Sequence, residues 1–135
     1  MRILLDSSAL VAAYISRAGI CAELLEDLLM DHEWVISSSI LDEIARKLKE
    51  KFNFPEDEIT EIRESIVSCA EMVVPVEVPA ASCRDPNDLP ILGTAIAGRV
   101  DLLITVDKDL LALEVHGEIP IVRPGEFWKR SERKD

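Results

Sequence analysis

The sequence predicts an open α/β fold, a parallel sheet covered by helices on both faces, and three observations carry that prediction. Short apolar runs recur along the chain: Ile3-Leu4-Leu5, Trp34-Val35-Ile36-Ser37, Met72-Val73-Val74-Pro75-Val76, Leu102-Leu103-Ile104-Thr105-Val106 and Ile119-Pro120-Ile121-Val122. They read as buried strands, because they lack the polar alternation of a half-exposed sheet. Segments of helical periodicity separate them, so strand and helix alternate. The first and fourth runs lead straight into an acid, Asp6 and Asp107. In sheets of this kind ligands bind beyond the carboxyl ends of the strands.

Taken in order, the first strand leads into Ser7 and Ser8, either of which can cap a helix over Ser8 to Ile15. Gly19 separates it from a second helix, Ile20 to Met30, with Cys21, Leu24, Leu25, Leu28 and Leu29 on one apolar face. After the second strand, Ser38 and Ser39 offer caps, and Ser39 with Asp42 fits a capping box. That helix runs to about Phe52, with Ile40, Leu41, Ile44, Ala45 and Leu48 toward the core, and Asn53-Phe54-Pro55 ends it. The next helix, Glu56 to Cys69, opens on three acids that suit the positive end of its dipole and turns Ile59, Ile62, Ile66 and Val67 inward. Beyond the third strand a polar loop reaches Asp88, expected to cap a helix in which Pro90 is tolerated at the first turn. Gly93, Ala95, Ala97 and Gly98 make that helix thin enough to approach the sheet closely. A short helix over Leu110 to Val115 joins the fourth and final strands.

The chain has 135 residues, enough for one domain with a substantial core. Charges interrupt every apolar run, so no membrane span is expected. Asp6 falls where the apolar centre of a signal peptide would have to continue, and a cytoplasmic location is expected. Cys21, Cys69 and Cys83 are isolated, as are His32 and His116, so zinc spacing is absent. A net charge of −11 and 4% aromatics argue against non-specific nucleic-acid binding and against a base-stacking platform. A protein of this charge handles phosphates only if metal ions or local cations offset the repulsion.

Topology gathers four acids on one rim. Asp6 and Asp107 end strands, Asp88 opens a helix and Glu43 lies in the first turns of another. Two carboxylates about 5 Å apart repel by roughly 3 kcal/mol at an effective dielectric of about 20, whereas a divalent cation neutralises them. An all-oxygen set without His or Cys selects a hard ion, Mg²⁺ or Mn²⁺. The pattern alone leaves Asp88 equally a helix cap, and it favours a solvated glutamate for Glu43, which lies off the apolar stripe of its helix. Arg46, Lys47, Lys49 and Lys51 read as a wet helix face.

Together these segments resemble a PIN domain, in particular the toxin-like proteins related to VapC ribonucleases. Ile3-Leu4-Leu5-Asp6-Ser7-Ser8-Ala9-Leu10 resembles the family's first strand and leading aspartate, and Ser39-Ile40-Leu41-Asp42-Glu43-Ile44 the segment bearing its glutamate. Arg84-Asp85-Pro86-Asn87-Asp88-Leu89-Pro90-Ile91-Leu92-Gly93-Thr94-Ala95 resembles the third acidic segment. Leu102-Leu103-Ile104-Thr105-Val106-Asp107-Lys108-Asp109-Leu110-Leu111 resembles the Thr-x-Asp-x-Asp-Leu signature, and Ile121-Val122-Arg123-Pro124-Gly125-Glu126-Phe127 the terminal strand with its Pro-x-x-Phe ending. Ser8 stands where many relatives carry Asn, and Val106 where many carry Gly.

The resemblance implies a three-layer α/β/α sandwich with a five-stranded parallel sheet in order 3-2-1-4-5. Residues 1–128 are expected to form the domain, and the basic run Lys129-Arg130-Ser131-Glu132-Arg133-Lys134 makes 129–135 read as a basic, solvated tail. It implies that Asp6, Glu43, Asp88 and Asp107 hold Mg²⁺ or Mn²⁺ as the catalytic set, supported by hydrogen bonds from Ser7, Ser8, Thr105 and Asp85. The implied activity is RNA phosphodiester cleavage by metal-activated water, with an antitoxin as partner and a homodimer as a further possibility. Alternatives are a solitary RNA-processing nuclease and a non-catalytic protein-binding module. A haloacid-dehalogenase-type phosphatase is disfavoured because Ser8 replaces the second acid of Asp-x-Asp, and a response-regulator receiver because Val122-Arg123-Pro124 lacks its lysine.

Overall fold

The computed structural model describes residues 1–16 and 19–133, apart from the side chains of Ile20, Leu29 and residues 131–133. Strand β1 (Arg2–Leu5) lies at the centre of the sheet, with Ile3 in register with Trp34 of β2 (Glu33–Ile36) on one side and with Leu102 of β4 (Leu102–Ile104) on the other. Ile3, Leu4 and Leu5 are fully buried, which is why this strand shows no polar alternation. The remaining parallel strands are β3 (Glu71–Met72) beside β2 and β6 (Ile119–Val122) beside β4. These five follow the expected order 3-2-1-4-5. A sixth, short strand, β5 (Val115–His116), pairs antiparallel with β6, giving β3-β2-β1-β4-β6-β5 instead of a five-stranded sheet.

Three expected spans change for identifiable reasons. The third strand stops at Met72 rather than Val76, because Pro75 cannot donate to a ladder and the Val76 N–H turns to the carbonyl of Gly93 at 3.2 Å. The fourth stops at Ile104 rather than Val106, because the Val106 and Asp107 N–H groups turn to the hydroxyls of Ser8 and Thr105. The helix expected to reach Val115 covers only α6 (Lys108–Leu111), since Glu114 and Gly117 take positive φ and fold the chain into the β5–β6 hairpin.

Helices pack on both faces of the sheet. Helix α1 (Ser7–Ile15) is capped by Asp6 rather than by Ser7 or Ser8. Helix α2 (Ile20–Asp31) buries Cys21, Leu24 and Leu28 and half-buries Leu25, while the Leu29 side chain lies outside the described residues. In α3 (Ser38–Phe52) the cap position falls to Ser37, and the expected Ser39–Asp42 capping box gives way to an Asp42–Arg63 ion pair of 2.9 Å. The helix ends as Asn53 turns left-handed (φ 56°) and its N–H returns to Leu48 and Lys49. Helix α4 (Glu56–Cys69) has the expected bounds and buries Ile59 and Ile66, yet Val67 faces outward.

Helix α5 (Leu89–Ala97) follows a 3-10 turn over Pro86–Asp88, and its small residues act as expected. A Cβ on Gly93 would come within 2.2 Å of the Val76 carbonyl oxygen, and one on Gly98 within 2.4 Å of Val35 Cγ1 of β2. Helix α7 (Pro124–Arg133) was not expected and carries the chain past residue 128 as helix. Phe127 anchors it, 1% exposed, with its ring 5.2 Å from His32 at the end of α2, and Trp128 hydrogen-bonds Asp27 of α2. No helix among the described residues is long and apolar enough to cross a membrane.

Candidate functional site

Asp6 follows β1 directly and is 1% exposed. A buried carboxylate needs donors, and this one has three sources. The Ala9 N–H caps Oδ1 at 3.0 Å, the Thr105 hydroxyl donates to Oδ2 at 2.6 Å, and the Ser8 hydroxyl lies within 2.9 Å of both oxygens. Each hydroxyl carries one proton, so three donors meet about four lone-pair sites and one acceptor position stays free. Burial pushes the carboxyl up to about 6, opposed by Thr105, Ala9 and Ser8 and assisted by the charge of Asp107.

Thr105 ties two acids together. Its hydroxyl donates to Asp6 and accepts the Asp107 N–H at 2.9 Å. Asp107 in turn caps α6, accepting the Asp109 N–H at 2.8 Å. Ser8 and Thr105 therefore both hydrogen-bond the Asp6 carboxylate. Val106 is absent from the positive-φ residues, so this turn makes no demand for glycine, and its N–H reaches Ser8 Oγ at 3.3 Å.

Asp88 departs from its expected role. It occupies the cap position of α5 but makes no capping hydrogen bond, and its Oδ2 is buried with no partner among the described residues. Burial is the largest influence raising this carboxyl, to about 7, followed by the charges of Asp107, Asp85, Asp6 and Glu43. The local capping is done by Asp85, whose carboxylate accepts the Asn87 N–H at 3.0 Å. Thr94 locks the arrangement from behind, its hydroxyl 2.8 Å from Ser37 Oγ at the start of α3 and 2.6 Å from the Pro90 carbonyl. The Glu43-bearing and Asp88-bearing helices are therefore fixed to each other through two fully buried hydroxyls.

Glu43 points into the same rim in company that the sequence pattern does not reveal. Lys47, one turn on, places its ammonium 3.1 Å from Glu43 Oε1 and 3.4 Å from Ser7 Oγ. Ser7 therefore serves Lys47, and Lys47 does not belong to the wet face on which Arg46 and Glu50 pair. A groove of about 410 Å³ runs alongside, between Glu43, Asp42 and Arg46 of α3 and Pro86, Asn87 and Pro90 at the start of α5.

The fold thus brings Asp6, Asp88, Asp107 and Glu43 close enough for their charges to perturb Asp88. Among the described residues no three acidic, His or Cys side chains are closed around a position that could hold an ion. The donor chemistry nevertheless fits a hard divalent cation: every donor is oxygen, Asp6 keeps one acceptor position, and Asp88 Oδ2 is buried with no partner.

Fold and rim together define a parallel α/β domain with an acidic carboxyl edge. A model of the PIN domain matches residues 2–109, and the chain belongs to the PIN domain family, whose members are typically nucleases. The fold is similar to a chain of VapBC2 from Rickettsia felis, determined bound to a DNA fragment from its promoter (TM-score 0.63, 18% identity, 91% of this chain and 98% of that one). It is likewise similar to a chain of VapBC-1 from nontypeable Haemophilus influenzae (TM-score 0.65, 17% identity, 93% of this chain and 99% of that one). Comparison with curated proteins gives no match.

Proposed function

We propose that this chain is a divalent-metal-dependent endoribonuclease that hydrolyses RNA phosphodiester bonds, and that it is the toxin of a toxin–antitoxin pair. The observation that carries the reading is Asp88 Oδ2, a buried carboxylate oxygen with no hydrogen-bond partner among the described residues, in a rim with Asp6, Asp107 and Glu43. A fold that leaves such a group unpaired sacrifices stability unless a ligand satisfies it.

Asp6, Asp88 and Asp107, with Glu43 completing the set, would hold Mg²⁺ or Mn²⁺. When bound, such an ion supplies Lewis acidity toward a phosphoryl oxygen and a water of lowered pKa. The protein's own part is to hold its carboxylates in place. Thr105 and Ser8 fix the Asp6 oxygens, Thr105 fixes the backbone of Asp107, and the Ser37–Thr94 contact fixes α3 against α5. The groove beside Glu43 receives the RNA strand, with Arg46 and Asn87 on its walls. An acidic rim suits an antitoxin that offers a basic segment.

The test is cleavage of single-stranded RNA in Mn²⁺. The wild-type chain cleaves, EDTA stops it, and Asp6→Asn lowers the rate at least ~100-fold, as expected when a preorganised electrostatic group is removed. Cleavage that survives either EDTA or Asp6→Asn rejects this mechanism.

A further inference from the structure

We propose that Lys47 is a positioning residue, a built-in counter-cation that holds Glu43 at the rim and competes with the divalent ion for its charge. The inference rests on the metal-dependent reading above and deepens it.

Two ion pairs of the same helix and the same i,i+4 spacing show why Lys47 is unusual. Arg46 and Glu50 pair at 3.4 Å with 56% and 61% of their side chains exposed, an ordinary solvated contact. Glu43 and Lys47 pair at 3.1 Å with only 22% and 23% exposed. A partly buried ammonium needs partners, and Lys47 finds them in Glu43 Oε1 and Ser7 Oγ. Ser7 is itself buried and directly follows Asp6. Lys47 therefore bridges α3 to the turn that carries the central acid, and Glu43 Oε1 is already engaged by it.

Two consequences follow. The rim remains assembled without an ion, because one of its charges is answered from inside. The fixed positive charge also opposes the incoming cation, since charges at this range interact strongly in a partly buried setting. Removing Lys47 should tighten metal binding, and removing Glu43 should weaken it doubly, by deleting a ligand and leaving a bare ammonium. Removing both should nearly restore the original affinity.

The experiment titrates Mn²⁺ into the full chain by calorimetry, with circular dichroism confirming the fold of each variant. Relative to wild type, Lys47→Gln binds about tenfold more tightly and Glu43→Gln at least about tenfold more weakly. The double variant lies within about threefold of wild type, because the two charge changes offset each other, and Lys47→Arg also stays within about threefold because it keeps the charge. A Lys47→Gln affinity within twofold of wild type, or a double variant as weak as Glu43→Gln, overturns the inference. Folded wild type that binds no Mn²⁺ overturns the metal reading itself, a result separable from failure of the Lys47 role alone.

Discussion

Thr105 is the residue through which two acids are set at once. Its hydroxyl gives its proton to Asp6 and takes one from the Asp107 backbone, and it is fully buried. Thr105→Val keeps the shape and deletes both bonds, leaving an Asp6 oxygen and an amide short of a partner. That should destabilise the fold by about 1–3 kcal/mol and reduce the proposed RNA cleavage, whereas Thr105→Ser should retain both. Chemical denaturation and cleavage rates measured on the same preparations check this, and Thr105→Val behaving as wild type would contradict the assigned role. At this scale the sequence was partly legible. Asp6 and Asp107 stand out because an acid ending an apolar run is conspicuous. Lys47 does not, because Glu43–Lys47 and Arg46–Glu50 have the same spacing in the sequence. Only the packing of α3 against α1 decides which pair is drawn into the site. Asp88 was legible as an acid at a helix start, but its lack of a capping bond is a property of the 3-10 turn ahead of α5.

Helix α5 brings Asp88 to the rim, and its glycines set how deeply it sits. Gly93 faces backbone, where a methyl group would come within 2.2 Å of the Val76 oxygen, so no side-chain rotation can relieve the clash. Gly93→Ala should cost about 1–3 kcal/mol despite the better helix propensity of alanine. A thermal midpoint equal to or above that of wild type would show that α5 can withdraw without loss. The apolar runs and helical stripes foretold most elements to within a residue or two, since burial on both faces leaves a clear pattern. The exceptions arise where hydrogen bonding overrides hydrophobicity. The third strand reads as five apolar residues but pairs over two, because Pro75 and the Gly93 carbonyl redirect its ladder. Helix α7 is largely polar and is held by Phe127 against His32. Its apolar side is only the adjacent pair Phe127 and Trp128 in an otherwise charged segment, which reads as a basic tail until the packing against α2 is seen.

For the molecule as a whole, the raised acids couple stability to pH. Asp6 and Asp88 titrate near 6 and near 7 in the fold, against 3.8 for an unperturbed carboxyl. The native state therefore retains protons that the unfolded chain releases between about pH 4 and 7. Because the native state binds more protons across that window, stability falls as pH rises through it, and the net charge of −11 acts in the same direction. In EDTA the thermal midpoint should drop by at least about 4 °C from pH 5.0 to 7.5, the scale on which one kcal/mol shifts a domain of this size. Millimolar Mn²⁺ at pH 7.5 should reverse the drop, because an ion that binds only the folded state stabilises it by mass action. A midpoint that climbs with pH in EDTA, or is indifferent to Mn²⁺ at pH 7.5, would contradict this account.

Asp6 is at once the cap of α1 and the most deeply buried acid of the rim. Its two uses bear on how the proposed activity could be lost. Under selection to silence the protein, most replacements at Asp6 would remove a helix cap worth about 1 kcal/mol and lead toward a poorly folded product. At Glu43, a partly exposed position, replacement removes no helix cap, and a glutamine there can still accept a hydrogen bond from Lys47. Decayed copies in nature should therefore keep the aspartate longer than the glutamate.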